Sequence, residues 1–273
     1  MVRVRNMNVF VVDEGAGAAT PLLILHGFPT SSFDFRGVIP RLGRRVVTLD
    51  FPGFGFSDKP ADYSYSLVEQ ADVVEMIAQK LELPRAHLWA HDMGTSVATE
   101  LLARRAGGLL HLDVDRLILM NGSVHAEMAH LTPSQRMLRR PILGRLFARV
   151  ANRATYKMQM KRVLARPVPD EEIDDQFTLL ALNDGHLRLP RIMGYYDERT
   201  RFRRRWIGAL EAFDRPAMIL WGMLDPVAVP AIAEALARET PDAVLERLDG
   251  VGHYPQLEAP ELVVERVTHF LQG

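Results

Sequence analysis

Short, mostly apolar runs alternate along this chain with longer amphipathic stretches, and this alternation constrains the fold more than any other feature. The apolar runs fall at residues 22–25, 46–49, 86–90, 117–120, 217–221 and 244–248. Their length suits buried strands, and apolar residues at helical spacing follow most of them. Since parallel neighbours need a crossover connection, the pattern predicts an α/β fold with a mainly parallel central sheet covered by helices.

Helical periodicity is clearest over residues 67–83, 95–105, 230–238 and 260–271. Residues 3–12 alternate with strand period, so we expect a first strand there and not a targeting segment. No apolar stretch reaches the roughly 20 residues of a membrane span. Together with the absence of cysteine, these features predict a cytoplasmic protein without disulfides, thiolate metal ligands or a membrane partner.

A segment without strand signals interrupts the pattern between residues 120 and 217. Its Arg, Met and Leu residues at helical spacing predict an inserted helical cap over residues 123–213, on a core formed by residues 1–122 and 214–273. The cap holds 15 Arg and 2 Lys against 10 acidic residues, a net charge of +7, which leaves −8 on the core. We interpret the cap as a set of solvated arginine-rich helices, and its dispersed basic residues predict no nucleic-acid partner.

Polar or glycine-containing sequences follow several of the predicted strands. They are "LHGFP" at residues 25–29, "LDFPGFGFSDKP" at 49–60, "LWAHDMGTSV" at 88–97, "WGMLDPV" at 221–227 and "GVGHYPQLE" at 250–258. Loops beyond the carboxyl ends of parallel strands meet at one edge of a sheet. We therefore expect Asp92, Asp225 and His253 to converge there with His26 and Phe28.

Asp92 is the central residue of a strand-turn-helix sequence that usually carries a nucleophilic serine. An apolar run precedes it, and Gly94 opens a helical stretch after it, as in a nucleophile elbow. Taken alone, Asp92 could be the N-cap of that helix, and His253 an ordinary loop histidine. The order nucleophile, acid, histidine beside the expected strands favours a catalytic triad.

The sequence "HGFP", together with Asp92, Asp225 and His253, resembles the epoxide hydrolase and haloalkane dehalogenase branch of the α/β-hydrolase superfamily. Within that branch, "HGFPTSS", "DFPGFGFSDKP", "FRRRWIGAL" and "HYPQLE" are similar to the mesoderm-specific transcript subfamily, so the likeness spans nearly the whole chain. The resemblance implies an α/β-hydrolase fold. It also implies that the backbone N–H groups of Phe28 and Met93 form an oxyanion hole, with His26 in the same site.

A carboxylate nucleophile suits one type of substrate. A serine that attacks an alkyl carbon would form an ether, which activated water cannot cleave, whereas Asp92 would form an alkyl ester that water can hydrolyse. Attack on an acyl carbon would give an anhydride, so the aspartate disfavours ordinary esterase activity. We expect His253 to activate the water and Asp225 to hold its imidazole.

Two classes of alkylating substrate remain, and their leaving groups differ. The resembling dehalogenases commonly carry a tryptophan after the nucleophile and an Asn after the first HG, or arginines near the nucleophile in the fluoroacetate type. Met93, Phe28 and Ser96 stand at those places in this chain. Met93 also differs from the tryptophan that is common at this position in epoxide hydrolases. Trp206, in the cap, could bind a substrate as a hydrogen-bond donor, so a dehalogenase remains an alternative.

An epoxide oxygen must be protonated or hydrogen-bonded as the ring opens, and the resembling epoxide hydrolases use cap tyrosines. This cap contains Tyr156, Tyr195 and Tyr196. Tyr195 lies about where the second cap tyrosine of the family falls and is the first candidate. Tyr156, 64 residues after Asp92, is the candidate partner. Each of the three could instead be a packing residue with a solvated hydroxyl.

From these residues we expect a monomeric or homodimeric epoxide hydrolase that opens a small-molecule epoxide to a diol, with no cofactor and no metal. A haloalkane dehalogenase with the same nucleophile is the alternative. A third hypothesis is a catalytically idle hydrolase fold that binds a ligand or protein, which the complete triad disfavours. The consecutive arginines at residues 203–205 point in different directions on a helix and are expected to pair with acidic residues.

Overall fold

The computed structural model describes residues 1–17 and 19–272. Its strands are β1 (Val2–Val4), β2 (Met7–Val9), β3 (Val11–Glu14), β4 (Leu22–Leu25), β5 (Val46–Leu49), β6 (Arg85–His91), β7 (Asp113–Met120), β8 (Ala217–Gly222) and β9 (Val244–Leu248). Its α-helices are α1 (Leu67–Lys80), α2 (Met93–Ala106), α3 (Pro133–Leu138), α4 (Leu143–Val150), α5 (Arg153–Lys161), α6 (Asp170–Ala181), α7 (Leu189–Ile192), α8 (Tyr195–Glu211), α9 (Pro230–Glu239), α10 (Pro255–Glu258) and α11 (Pro260–Gln272). Short 3₁₀ helices occur at Ser32–Phe35, Ile39–Arg41 and Leu182–Arg188.

Strands β3 to β9 form a seven-stranded sheet in the order β3-β5-β4-β6-β7-β8-β9. Strand β3 runs antiparallel to β5, and the other neighbouring pairs are parallel, which confirms the predicted sheet. The strand that follows β4 in the chain, β5, lies next to it toward one edge of the sheet, and the strand that follows β6, β7, lies next to it toward the other edge. Ligands of open α/β sheets bind at such a switch point, and the loops after β4 and β6 both start there.

Two apolar clusters cover the two faces of this sheet. In β4, Leu23 and Leu25 belong to the cluster that includes residues of α1 and α2, whereas Leu22 and Ile24 belong to the cluster that includes residues of α11. Every side chain of β4 is buried. Burial on both faces explains why this strand is a continuous apolar run and does not alternate between apolar and polar residues.

The N-terminal segment differs from the single strand expected over residues 3–12. Strands β1 and β2 pair with each other as an antiparallel hairpin, and β3 joins the main sheet. Arg5 turns the chain with a φ of 52°, a value that non-glycine residues seldom adopt. Because the turn contains neither glycine nor proline, the strand-like alternation continues through it, and Asn6 is the one local turn signal.

Helices α3 to α8 lie between β7 and β8 in the chain, within the residues assigned to the cap. Helix α8 packs on α2 of the core, where the indole N–H of Trp206 donates to Glu100 at 2.9 Å. Two of the three consecutive arginines form the expected pairs, Arg205 with Glu100 of α2 and Arg203 with Glu127 within the cap, whereas Arg204 forms no ion pair among the described residues. The buried hydrogen bond between Trp206 and Glu100 joins the cap to the core.

Candidate active site

Asp92 lies on a tight turn between β6 and α2. Its backbone has a φ of 45° and a ψ of −113°, a combination that costs a non-glycine residue on the order of 1–3 kcal/mol. The turn packs closely on the end of β4, because a Cβ on Gly94 would lie 2.6 Å from the carbonyl oxygen of Leu25. The result is a buried carboxylate at the switch point of the sheet.

One carboxylate oxygen of Asp92 is bound by the backbone after β4. The N–H of Phe28 donates to Oδ2 at 2.8 Å, which is the geometry that an oxyanion donor needs. A Cβ on Gly27 would lie 2.7 Å from the Cβ of Asp92, so glycine at this position permits the close approach. Met93 is the first residue of α2, and its N–H therefore has no partner within the helix.

His253 and Asp225 form a buried hydrogen-bonded pair. Nδ1 of His253 donates to Oδ2 of Asp225 at 2.7 Å, and Nδ2 of Asn121 donates to the same oxygen at 2.8 Å. The other oxygen accepts from the backbone N–H groups of Val227 and Ala228. Since both oxygens are bound, the carboxylate is fixed and can orient the imidazole, which leaves Nε2 as the nitrogen that can exchange a proton.

Burial by itself would lower the pKa of His253, but nearby carboxylates outweigh that effect. The charge of Asp225, its hydrogen bond, and the charges of Asp92 and Glu258 raise the pKa to about 9. The imidazole is therefore protonated at neutral pH before Asp92 has reacted. Esterification of Asp92 removes one of these negative charges and lowers the pKa of His253, so the residue becomes a base after the nucleophile has reacted.

Two buried residues that sequence reasoning missed hold the loop of His253. Nε2 of His91 donates to the backbone oxygen of His253 at 2.8 Å, and burial lowers the pKa of His91 to about 4, so this histidine stays neutral. Glu258 ties the loop to the cap by accepting from four backbone N–H groups, those of Ala165, Arg166, Gly252 and Tyr254. Glu258 ends the sequence "HYPQLE", which was its one available signal.

A cap arginine also reaches the nucleophile. Arg199 of α8 is buried, and its Nε donates to Oγ of Ser96 at 2.9 Å. Its Nη2 lies 3.3 Å from the backbone oxygen of Asp92 and 3.8 Å from Oδ1 of the same residue. Ser96 stands where the resemblance to the fluoroacetate type would place an arginine. The guanidinium of Arg199, from the cap, therefore contacts the position at which the core has no arginine. Nothing local distinguished Arg199 from the other cap arginines.

The tyrosines at the start of α8 have different surroundings. The ring of Tyr195 packs on Phe28 with centroids 5.7 Å apart, and the guanidinium of Arg199 lies 4.7 Å from the Tyr195 centroid. Burial and the charge of Asp92 raise the pKa of Tyr195 above its ordinary value, so its hydroxyl is neutral. The hydroxyl of Tyr196 donates to the backbone oxygen of Ala126 and is therefore engaged elsewhere.

An apolar pocket lies between the cap and His253. Its wall includes Phe28, His253, Tyr156, Phe147, Met160, Leu180 and Tyr254. The hydroxyl of Tyr156 is buried and has no hydrogen-bond partner among the described residues, and burial raises its pKa well above the ordinary value. Tyr195 is not part of this wall. The sequence ranks Tyr195 above Tyr156 as the proton donor, and the order of the two stays a prediction.

Two other residues expected at the substrate have different contacts. The N–H of Phe51 donates to Nε2 of His26 at 2.9 Å, and Nδ1 of His26 donates to the backbone oxygen of Gly27 at 2.8 Å. Both nitrogens are occupied, so His26 braces the loop that carries Phe28. Trp206 is buried against α2 with its N–H on Glu100, and it does not line the pocket. This position contradicts the substrate-binding role expected for Trp206.

Within residues 1–17 and 19–272, no three His, Cys, Asp or Glu side chains are grouped in a way that could hold a metal ion. No helix in these ranges is long and apolar enough to cross a membrane.

The sheet, the elbow at Asp92 and the pair formed by His253 and Asp225 define a hydrolase of the α/β type. A family described as having the alpha/beta hydrolase fold matches residues 20–260, and this chain belongs to that family. The predicted fold class is thereby confirmed.

Similar proteins support the same class. LipZ of Mycobacterium tuberculosis, whose name assigns it only to the hydrolases, is 44% identical over 95% of this chain and 91% of its own length. The mesoderm-specific transcript protein of Mus musculus is 35% identical over 94% of this chain and 80% of its own length, which confirms the subfamily resemblance. The crystal structure of haloalkane dehalogenase DbeA from Bradyrhizobium elkani has a TM-score of 0.85 at 26% identity, covering 100% of this chain and 96% of that chain.

Proposed function

We propose that this protein hydrolyses epoxides through a covalent ester on Asp92. The observation that carries the proposal is a carboxylate at the nucleophile turn, with Oδ2 bound by the N–H of Phe28 and a histidine paired to Asp225 nearby. A hydroxyl at this turn would form a stable ether with an alkyl substrate, whereas a carboxylate forms an ester that water can cleave. The site therefore suits an alkylating electrophile.

In the first step, Oδ1 of Asp92 attacks an epoxide carbon while Oδ2 stays on the N–H of Phe28. The ring C–O bond breaks, and the released oxygen takes a proton from a cap tyrosine. We assign this role to Tyr156, because this residue lines the pocket and its buried hydroxyl has no hydrogen-bond partner among the described residues. Tyr195, which packs on Phe28, is the candidate second donor. A donor whose hydrogen bond strengthens as charge develops lowers the barrier.

In the second step, His253, which releases its extra proton to solvent once Asp92 is esterified, takes a proton from water, and the resulting hydroxide attacks Cγ of the ester. The oxyanion develops on Oδ2, where the N–H of Phe28 already donates and where we assign the N–H of Met93 as the second donor. Collapse breaks the acyl C–O bond, and the departing alcohol oxygen takes the proton from His253. The proton of the new carboxylic acid returns to the tyrosinate, which restores Asp92 and the cap donor. His253 is reprotonated from solvent when Asp92 is restored.

The pocket favours substrates with an apolar substituent. Its wall consists mainly of apolar cap side chains, with Tyr156 as a polar group among them. Apolar pockets bind ligands mainly through the surface that they remove from water, while a few polar groups fix the orientation. We therefore expect epoxides with a hydrophobic chain or ring to be better substrates than small polar epoxides.

A haloalkane dehalogenase is the second candidate, and the structural likeness to DbeA favours it. A departing halide needs N–H donors, and the indole N–H of Trp206 is already bound to Glu100. Arg199, with Nη2 3.8 Å from Oδ1 of Asp92, is a cationic donor that a halide could reach. Epoxides rank first because the hydroxyl of Tyr156, which has no partner among the described residues, is suited to protonating an alkoxide and is not needed by a halide.

The covalent step provides the test. After incubation with a hydrophobic epoxide, His253→Gln should accumulate an adduct of the substrate mass, visible by intact-protein mass spectrometry, and Asp92→Ala should not. In a single turnover in heavy-oxygen water, the first diol should carry ordinary oxygen from Asp92, whereas heavy oxygen would indicate direct attack by water. A panel of epoxides and haloalkanes, read out as diol and as halide, separates the two activities. No product and no adduct with any member would favour the idle fold.

A further inference from the structure

Helix α4 presents one face to the cap and another to solvent. Gly144 and Ala148 are buried, and a Cβ on Gly144 would lie 2.2 Å from the backbone oxygen of Leu138, so this face packs closely. On the opposite side, four large apolar side chains are between 45% and 75% exposed, namely Ile142, Leu143, Leu146 and Val150. At 100° per residue they form one continuous band, which we call the α4 stripe. A contiguous exposed apolar surface marks an interaction site.

A positively charged groove adjoins the α4 stripe. Arg145 and Arg149, one turn apart on α4, line this groove together with Arg139, Arg188 and Arg191. Arg139 pairs with Asp197, whereas Arg145 and Arg149 form no ion pair within residues 1–17 and 19–272. We call this feature the arginine groove. Viewed down the axis of α4, Arg145 and Arg149 lie directly beside the α4 stripe. The apolar and the cationic surfaces therefore share one edge of the cap.

The charge of this region is unusually one-sided. Residues 128–169, which include all of α3, α4 and α5, contain ten Arg and Lys residues and no Asp or Glu. An amphipathic helix with an apolar face and flanking cations is the arrangement that lies in the interface of an anionic bilayer. Each basic residue near such a surface adds attraction to the negatively charged headgroups.

We propose that the α4 stripe and the arginine groove dock the cap onto the surface of an anionic phospholipid bilayer. The stripe enters the boundary between headgroups and acyl chains, and the groove binds the phosphate groups of anionic lipids. Such docking is a peripheral attachment, and it differs from the expectation, drawn from the sequence, that no membrane is a partner.

Charge complementarity favours a bilayer over a second copy of the chain. In a two-fold dimer built on the α4 stripe, the same patch would face itself. The two arginine grooves would then approach each other along the rim, and juxtaposed like charges oppose association. An anionic lipid surface satisfies the apolar stripe and the cationic groove at the same time.

The attachment would also place the pocket close to the lipid. Phe147 and Ala148 of α4 line the apolar pocket that contains His253, so the helix that carries the exposed stripe also forms part of the pocket wall. A hydrophobic substrate concentrated in the bilayer would then have a short path to the site. The docking itself rests on the surface of α4 and does not depend on the reaction proposed for Asp92.

Vesicle flotation tests the docking directly. The wild-type protein should float with vesicles of phosphatidylcholine and phosphatidylglycerol in equal amounts, should stay behind with pure phosphatidylcholine, and should be released as salt screens the charges. Leu146→Ser/Val150→Ser and Arg145→Glu/Arg149→Glu should each weaken binding by on the order of 10-fold or more. All four side chains are exposed, so thermal melting should show that both variants remain folded.

Matched controls separate this surface from general charge and hydrophobicity. Arg3→Glu/Arg238→Glu makes the same change of charge at exposed positions of the core, and Leu109→Ser removes a 70% exposed leucine elsewhere; both should bind like the wild type. Failure of the wild type to bind anionic vesicles, or equal loss in the controls, would overturn the proposal. A third result would also overturn it: sedimentation velocity shows that the wild type is a dimer, Leu146→Ser/Val150→Ser is a monomer, and neither protein binds vesicles.

Discussion

Nη2 of Arg199 lies 3.8 Å from Oδ1 of Asp92, so the cap places a buried positive charge beside the nucleophile of the core. The guanidinium faces a carboxylate in the free protein, a neutral ester after alkylation, and a negative tetrahedral intermediate during hydrolysis. A fixed cation therefore stabilises the carboxylate and the tetrahedral intermediate, which are both negative, more than the neutral ester. The consequence is that Arg199 should assist the breakdown of the ester and not its formation.

Arg199→Gln should slow hydrolysis of the ester by on the order of 100-fold, by analogy with the loss of an oxyanion donor, while alkylation stays as fast or becomes faster. Rapid-quench mass spectrometry during turnover should then show a larger fraction of protein carrying the adduct. Arg199→Lys, which keeps the charge, should restore part of the rate. Arg201→Gln, an exposed change on the same helix, is the control. Slow alkylation without accumulated ester would contradict this role.

The protonation of His253 should depend on the charge of Asp92. Since that charge contributes to the raised pKa of about 9, Asp92→Asn should lower the pKa of His253 toward the ordinary value of about 6.5. Esterification of Asp92 should also lower the pKa of His253, and for this reason the imidazole can act as a base at the second step. NMR titration of labelled histidines measures the shift. Glu127→Gln, which changes a partner of His125, should leave the pKa of His253 as it is.

The chemistry-bearing residues could be predicted from the sequence because each of them follows a strand. Asp92, Asp225 and His253 stand beside short apolar runs, and residues at the same edge of a parallel sheet must lie close together. Arg199 could not be found in this way, because its contact with Asp92 depends on how α8 crosses α2. Trp206 was misassigned for the same reason, since its side of α8 turns toward Glu100 and away from the pocket.

The fold could be predicted from the sequence wherever burial determines the pattern of apolar residues. Strands β4 and β5 begin and end at the residues that the apolar runs indicated. The N-terminal hairpin was missed, because its turn at Arg5 needs a positive φ without a glycine to announce it. Contacts between distant segments leave no local trace at all, and the hydrogen bond between Asp34 and Gln176 is an example.

Asp34 should make the stability of the protein depend on pH. Its carboxyl group is buried, accepts from Thr30 and from Nε2 of Gln176 in the cap, and has its pKa raised to about 8 by burial. A folded-state pKa above the unfolded value of about 3.9 means that the protonated group stabilises the fold at low pH. That contribution is lost as the pH rises from about 4 toward 8.

Asp34→Asn should abolish this dependence while keeping a group of similar shape. Relative to the wild type, the variant should melt at progressively higher temperature as the pH is raised from 5 to 8, with a final difference of several degrees, since about 2–4 °C corresponds to 1 kcal/mol for a domain of roughly this size. Melting curves across this pH range measure the effect. A constant difference between the two proteins would show that Asp34 does not titrate there.

The proton donor for ring opening is the last assignment to be tested. Because Tyr156 lines the pocket and its buried hydroxyl has no partner among the described residues, Tyr156→Phe should slow alkylation by an epoxide by on the order of 100-fold, which is about 2.7 kcal/mol. Tyr195→Phe should have a smaller effect if it shares the proton transfer. Tyr196→Phe should have little effect, because that hydroxyl already donates to the backbone of Ala126.

A primary bromide separates proton donation from general damage to the pocket. Its leaving group needs no proton, so any turnover of the bromide should be nearly the same in Tyr156→Phe and in the wild type, while opening of the epoxide falls. Rapid mixing with each substrate in turn measures the alkylation step alone. The assignment to Tyr156 is lost if Tyr195→Phe is the slower variant with the epoxide, in which case the order expected from the sequence holds. It is equally lost if Tyr156→Phe slows both substrates alike, because the tyrosine would then shape the pocket without donating a proton.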